Sequence, residues 1–552
     1  MFYKVKFQSW RTFLITFVLF LVFSSLNISI KSQVTQEWAQ RYNGPGNGFD
    51  AGYVMAIDGN ENIFVTGSSA GPGSGLDIVT IEYDNQGAIQ WVQRYNGSGN
   101  QNDVATAICI DQNSYLYVAG YTYTSASYDY VIIKYAPDGT VQWIQTYNNP
   151  QVNGDDRPTG VAAATNGDVY LTGNSYGTSG YDIATVKYNS SGIQQWVIRY
   201  DDPYHLNDVA AGLVYYTSGG VYVAGTSYNG QNYDIVILKY GPSGNLAWQT
   251  NYNGTGNGDD GASALKADNS GNVYVTGYTT GIGTGRDYVT LKYNSNGSFA
   301  WATPQNGLGN GYDVAKAIAL DNSGNVLVTG VSYGNGTGYD IATCKYTNAG
   351  SLQWIKRYNS LNVDDNGTCI AADVSGSVYV GGISNISGEY TDYVVIKYNP
   401  VGVQSWITTY NGPGNDIDSA FAICVGLSGN VYLTGTSWGG SSGYDIATVR
   451  YSQITGIRNP PEDIPGNYFL SQNYPNPFNP VTMIEYRLPA DGFTNITIYD
   501  VIGRKISSLV SEFQKTGSYS VAWDGSNYPS GTYFYRFTSG NYSETKKLVL
   551  VK

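Results

Sequence analysis

Tryptophan recurs at Trp38, Trp91, Trp143, Trp196, Trp248, Trp301, Trp354 and Trp406, always 52 or 53 residues apart. Aspartate recurs in step at Asp50, Asp103, Asp156, Asp208, Asp260, Asp313, Asp365 and Asp418. A second Asp series runs Asp77, Asp129, Asp182, Asp234, Asp287, Asp340, Asp392 and Asp445. Glycine keeps the same beat from Gly67 through Gly120 to Gly435. Eight copies in register restrict the chain to architectures that stack one supersecondary unit repeatedly. Within a copy, four runs rich in Tyr, Val, Ile and Thr alternate with turns such as DNSGN and NSNG, and no window has a helical period with caps. Four short strands per copy is the grammar of a β-propeller blade.

Side chains two and four residues after each Asp of the first series are nearly all small, as in Gly52, Ala105, Gly160 and Gly212. This places that run next to the axis, where bulky groups would clash. The Trp run goes outside, where an indole can fill the wider gap between blades. The chain opens on an isolated Trp strand, Gln36–Tyr42, and the eighth copy stops at Tyr451 with no ninth Trp. The first strand is therefore predicted to complete the last blade and remove an open edge. The expected fold is all-β: an eight-bladed propeller of four-stranded blades, then a small Ig-like β-sandwich. Seven blades with a stray unit, or two smaller propellers, are the alternatives.

Composition narrows the chemistry. The chain has 552 residues, 69 Gly, 52 Tyr and a single His, and only 13% of its residues are charged. It is too apolar and aromatic for a disordered chain. One His excludes a metal site built on several imidazoles, and a Ser-His-Asp site would have to use His205. The net charge of −13 argues against nucleic acid as a partner. That charge is mostly repeat grammar, because sixteen Asp and Glu82 face seven basic residues at the recurring positions.

Lys4, Lys6 and Arg11 precede an apolar run, Phe13–Phe23, and small residues follow as far as Ser32. This reads as a secretory signal over residues 1–32, too short to span a bilayer comfortably. No other stretch would cross one in the mature chain. Cys109, Cys344, Cys369 and Cys424 sit in apolar runs without a disulfide spacing and read as small buried hydrophobes. A Cys369–Cys424 bridge is the pairing left open. The repeats fill 33–453, a Pro/Gly-rich linker fills 454–467, and alternating strands resume over 468–552.

The repeated VYVTG, YD and KY elements around Trp resemble the bacterial SBBP-type β-propeller repeat, over Trp38 to Tyr451. That family label implies seven blades, whereas this chain has eight copies. The G-x-x-x-W element loosely resembles the tryptophan-docking motif of quinoprotein propellers. Asn473–Pro480, Tyr499–Gly503, Gly531–Arg536 and Lys547–Lys552 resemble the type A C-terminal sorting domain of the type IX secretion system. This resemblance implies the secretion machinery as a partner, with Lys547 and Lys552 bounding the terminal signal. The implied destination is secretion or the outer surface of a Gram-negative-type bacterium. An ordinary Ig-like adhesion or stability domain is the alternative.

Both Asp series fall at loops predicted to share one face. There they either bind a cation or accept hydrogen bonds from their own turns. Asp259, Asp260, Asp416 and Asp418 are the calcium candidates; no other cofactor is implied. The recurring Lys before Tyr reads as a packed stem whose head reaches water or an Asp. Residues that break the repeat are the better candidates for ligand binding: Arg157, Tyr204, His205, Arg286, Glu389 and Trp438. An aromatic platform with polar neighbours suits a glycan, a peptide or a surface protein. The expectation is a binding scaffold rather than an enzyme. A polysaccharide-active or quinoprotein-like enzyme and a structural surface-layer component are the rival readings.

Overall fold

Alternating β-formers and tight turns make each copy a four-stranded antiparallel meander. The first sheet runs Asp50–Ile57, Ile63–Ala70, Leu76–Tyr83 and Ile89–Tyr95, in that spatial order. Its first hairpin closes because Asp58 accepts the amides of Asn60 and Asn62 at 2.9 and 2.8 Å. The computed structural model describes residues 33–124, 126–216, 220–361, 363–385, 390–454, 468–473 and 476–552. The expected signal over 1–32 and nearly all of the expected linker lie outside the described residues. The chain divides into two units, Met1–Thr455 and Gly456–Lys552, and no α-helix occurs among the described residues.

In the first unit the meander repeats as eight four-stranded sheets among the described residues. The eighth takes its outer strand from the other end of the chain. Gln33–Tyr42, three residues longer at its start than predicted, pairs antiparallel with Tyr444–Ile454, and Trp38 lies opposite Arg450. The inner strands of successive sheets are in contact throughout, and that of the eighth sheet touches that of the first. The arrangement is propeller-like.

Every inner strand shifts register at the small residues. The shift falls between Gly52 and Val54 in the first sheet and between Ala315 and Ala317 in the sixth. Such a bulge bends the strand and increases its twist. It also brings the inner backbone onto the recurring glycine of the second strand. A Cβ on Gly67 would lie 1.8 Å from the Ala51 carbonyl oxygen, and one on Gly277 would lie 1.9 Å from that of Gly261.

Adjacent sheets are locked on the outside by tryptophan. Each indole from Trp38 to Trp354 lies against the glycine of the outer hairpin in the next sheet. On Gly350 (φ +86°), a Cβ would come 2.7 Å from Trp301. The indole Nε1 donates to a carbonyl of that same turn, as from Trp143 to Ser190 at 3.1 Å and from Trp301 to Asn348 at 3.1 Å. The basic residue opposite Trp on the neighbouring strand donates to the same oxygen. Lys134 reaches Ser190 at 3.1 Å and Lys292 reaches Asn348 at 2.9 Å. The Lys heads therefore serve chiefly inter-sheet carbonyls; Lys187 and Lys345 also reach Asp168 and Asp321 at 2.8 and 2.9 Å. Two sheets depart from this pattern. In the first, Glu82 stands opposite Trp91, and burial pushes its carboxyl up to about 7. In the seventh, Trp406 and Lys397 meet the eighth sheet, whose third and outer strands, Tyr444–Ile454 and Gln33–Tyr42, come from opposite ends of the repeat and are not joined by a hairpin. There the Gln453 side chain accepts from Lys397, and the Trp406 Nε1 is buried without a partner among the described residues.

Carboxylates fix the opposite ends of the sheets. Asp50 accepts the Gly44 amide at 2.8 Å and the Ala70 amide at 3.0 Å. Asp103, Asp156, Asp260, Asp313 and Asp418 make the same double contact. In the second series, Asp77, Asp182 and Asp445 pair with Arg94, Arg199 and Arg41 at 2.7, 2.5 and 2.8 Å. Hydroxyls of Thr124, Thr284 and Thr337 serve Asp129, Asp287 and Asp340. The four cysteines are free, and the bridge left open between Cys369 and Cys424 is not formed.

The second unit has a three-stranded sheet, Phe469–Leu470, Val481–Leu488 and Gly517–Asp524. Its other sheet is four-stranded, Lys505–Gln514, Gly492–Tyr499, Gly531–Ser539 and Tyr542–Leu550. Val481–Leu488 alternates exposed and buried residues throughout, the period of a half-buried strand. Its buried set joins Phe478, Trp523, Tyr535, Phe537 and Leu548 in one core.

Two outcomes follow from these contacts. Gly350→Ala combines a strained dihedral with a clash on Trp301 and lowers stability by about 2–4 kcal/mol. Gly336→Ala has the same strain (φ +82°) and nothing within 4 Å, so it costs only about 1 kcal/mol; denaturant melts of the two variants measure the docking contribution by difference. Burial also raises Asp156 and Asp392 to about 6. With Glu82, these carboxyls bind protons more tightly folded than unfolded. Their stabilisation is present in acid and is lost as pH rises through 6–7. Thermal midpoints therefore rise from pH 8 to pH 5. Glu82→Lys, which restores the residue of the other sheets, raises the midpoint at pH 8 and flattens the slope.

Candidate functional site

Strand direction alternates along each meander, so the loops entering inner strands and the loops joining second to third strands emerge at the same edge. Backbone bonds tie them together, as from Asp103 N to the Leu76 carbonyl at 2.5 Å and from Asp208 N to that of Tyr181 at 2.6 Å. This face collects aromatic rings. Tyr121 and Tyr123 flank Tyr128 at 5.2 and 5.3 Å between centroids, and Tyr176 meets Tyr181 at 5.3 Å. Tyr333 and Tyr312 both meet Tyr339, at 5.4 and 6.4 Å. Most of these contacts are edge-on, which is favoured between aromatic quadrupoles.

The repeat-breaking residues are set into these clusters. Arg157, exposed, lies 4.9 Å from the ring centroids of both Tyr121 and Tyr128 and pairs with Asp155 at 3.0 Å. Arg286 lies 4.1 Å from the Tyr278 ring and 5.2 Å from that of Tyr312, and it donates to the Tyr312 hydroxyl at 3.2 Å. Tyr204, 55% exposed, stands edge-on to Tyr228 at 5.8 Å. Trp438 packs on Tyr444 at 4.9 Å, and Tyr444 in turn meets Phe49 at 5.8 Å. Glu389 lies outside the described residues. These side chains share the face but belong to four separate clusters around it, on the third, fourth, fifth and eighth sheets.

His205 has a structural explanation. In five other loops an Asn in the left-handed conformation accepts from an Asn four residues earlier, as Asn415 does from Asn411 at 2.7 Å. His205 occupies that place (φ 55°), and its Nδ1 lies 2.7 Å from Asp201 Oδ2. The hydrogen bond to Asp201 raises the imidazole pKa. A pair that stands in for a recurring Asn–Asn clasp is a loop fastener.

The calcium candidates serve backbone groups. Asp259 accepts the Tyr233 amide at 3.1 Å, Asp260 those of Gly254 and Thr280, and Asp416 that of Ile417 at 2.7 Å. Asp418 accepts those of Gly412 and Trp438. The carboxylates that converge are others. One oxygen each from Asp182, Asp201 and Asp208 lie within 4.8 Å of one another. Sequence reasoning passed over this group because Asp182 and Asp208 are ordinary members of the two series. The available signal was Asp201 at a position that is Asn in the other seven copies. The edge opposite the loop face carries a groove of about 490 Å³ lined by Asp111, Tyr115, Lys134, Trp143 and Asn166.

In the second unit, the Lys547 carbonyl accepts from Gln472 at 2.6 Å and from Asn476 at 3.3 Å. Lys552 Nζ donates to the Ser526 carbonyl at 2.6 Å. Phe478 bonds Val549 and Val551 through its backbone, so residues 476–480 and the last strand hold each other.

No curated protein matches the chain. Among solved structures it is similar to Sqt1 of Chaetomium thermophilum bound to the N-terminus of ribosomal protein L10, at 9% identity and a TM-score of 0.48, covering 74% of this chain and 99% of that one. A protein of unknown function from Dyadobacter fermentans matches at 11% identity and a TM-score of 0.36, over 76% and 99% of the two chains. PorZ, a surface component of the type IX secretion system of Porphyromonas gingivalis, matches at 12% identity and a TM-score of 0.25, over 90% and 86%. The repeats are not matched by an SBBP family model. Among the described residues no helix is long and apolar enough to cross a membrane. Residues 472–552 match the secretion system C-terminal sorting domain, which marks the chain for type IX secretion to the cell surface or the extracellular space.

Proposed function

We propose that residues 33–453 form an eight-bladed β-propeller closed by its N-terminal strand, exported through a signal in residues 1–32. It acts as a binding scaffold whose loop-rich face engages a glycan, a peptide or a surface protein. Residues 468–552 form an Ig-like sandwich that hands the chain to the type IX machinery, with 454–467 as the linker. The reading of the face rests on one observation: exposed aromatic rings recur around it, two of its clusters holding an arginine between tyrosines. Rings of this kind cover the apolar faces of sugars or peptides, while neighbouring polar groups set orientation. In six copies the first-series carboxylate accepts two backbone amides, and that recurring scaffold role favours binding over catalysis, since a general acid or base needs a free, singular group.

Two experiments test this. The chain applied to a glycan array and to a peptide library retains a ligand, and Tyr204→Ala or Trp438→Ala weakens it about tenfold or more with the melting curve little changed; absence of any ligand from both panels overturns the binding role. Deleting Lys547–Lys552 leaves the protein behind the outer membrane in cell fractionation. Fusing Tyr468–Lys552 to a periplasmic reporter carries the reporter to the surface. Surface delivery of the deletion variant refutes the sorting assignment.

A further inference from the structure

The fourth sheet breaks the carboxylate pattern in a way that points to an ion. Five residues after Trp the repeat has Asn in seven copies, but Asp201 follows Trp196. The next residue is Gly in five copies and Asp202 here. Two negative charges are thus added beside the usual pair, Asp182 and Asp208. In six sheets, Oδ1 of the first-series Asp accepts an amide twenty residues on. Asp208 is fully buried, and its Oδ1 has no hydrogen-bond partner, while its Oδ2 accepts the Asp202 amide at 2.8 Å. The Ser227 hydroxyl beside it lies 3.3 Å from the Tyr200 hydroxyl. Asp202 is 1% exposed, and its Oδ2 is also without a partner, Oδ1 being taken by the Tyr204 amide at 2.5 Å. A buried carboxylate oxygen without a donor is costly. Unpaired Oδ1 atoms also occur in the second series, at Asp234, Asp287, Asp340 and Asp445. In the first series, Asp208 alone has one among the described residues.

The geometry points to a divalent-cation site at Asp182, Asp201 and Asp208, with Asp202 beside it, selective for Ca²⁺. All the donors are hard carboxylate oxygens with no thiolate among them, the set preferred by Ca²⁺ over transition metals. Two nitrogen groups already touch the cluster: the Arg199 guanidinium holds Asp182 Oδ2, and the His205 imidazole faces Asp201 Oδ2. Each takes one oxygen of a carboxylate that has two. Four carboxylates against these neighbours leave negative charge for an ion to offset. The bound ion would fasten the Asp201–Asn207 loop, and with it Tyr204, to the edge of the sheet.

The test uses the full chain, stripped with EGTA and titrated with CaCl₂ by calorimetry, without any glycan, so that its outcome is independent of the binding role proposed above. One Ca²⁺ binds per chain with a Kd on the order of 10⁻⁵–10⁻⁴ M, and the thermal midpoint rises by a few degrees over the EGTA sample. Asp201→Asn with Asp202→Gly installs the pair found in five other sheets. It weakens binding at least tenfold, and the calcium-free midpoint stays equal or rises. Asp201→Asn alone serves as the second variant should the double change impair folding. Asp259→Asn and Asp416→Asn leave the affinity unchanged. Absence of binding up to millimolar calcium overturns the site. So does binding that Asp201→Asn leaves intact.

Discussion

Everything in the first unit depends on how one sheet holds the next, and that contact is the docking of an indole onto a glycine. The glycine must be glycine twice over: its φ is left-handed, and its missing Cβ is the space the indole fills. The buried surface supplies attraction without direction. Direction comes from the carbonyl of the same turn, which accepts both the indole N–H and a lysine or arginine head. Three groups from one sheet thereby grip one hairpin of the next, and the grip repeats from sheet to sheet. Its irregular points are physically informative. At Glu82 the cation is replaced by a carboxyl that burial pushes towards neutrality. Beside Trp406 the receiving hairpin is replaced by two strands from opposite ends of the repeat, and a side-chain amide takes over the carbonyl's part.

The loop face obeys a second constraint, the need to pair every buried amide at the strand ends. The first Asp series meets it, while the second pairs with arginines and side-chain hydroxyls, and this is why an acidic chain has so little free acidity. A carboxylate that accepts two amides is scaffold, and six of the eight first-series positions belong to that class. The face is then free to vary in its rings. Tyrosines meet edge to face around it, and Arg157 and Arg286 are held between them, so the exposed apolar area is distributed among several clusters.

Much of the architecture was legible in the sequence. The strand runs, the hairpin turns, the small residues of the inner strands and the outer place of tryptophan all follow from residue type and spacing. The pairing of the first strand with the last sheet was legible too, because an isolated Trp strand at one end matches a missing one at the other. The site was less legible. Arg157, Tyr204, Arg286 and Trp438 stand out as departures from the repeat, but the sequence does not say which tyrosines flank them. His205 attracted attention as the only histidine, yet its place is that of an asparagine in a loop clasp. Asp208 looked like seven other aspartates, and only its lost amide partner distinguishes it.

By itself the sequence determined the repeat, its four strands, the side of each sheet that faces inward and the sorting tail, because these are properties of local pattern and period. Only the tertiary structure decided what the recurring polar groups do. Whether a carboxylate binds an amide, an arginine or nothing depends on atoms that can be six or as many as 404 residues away along the chain, brought close by tight loops and strand pairing. The same is true of lysine: its residue type allowed water, an aspartate or a polyanion. The carbonyl of the next sheet became its partner because the indole beside it had already fixed the distance between sheets.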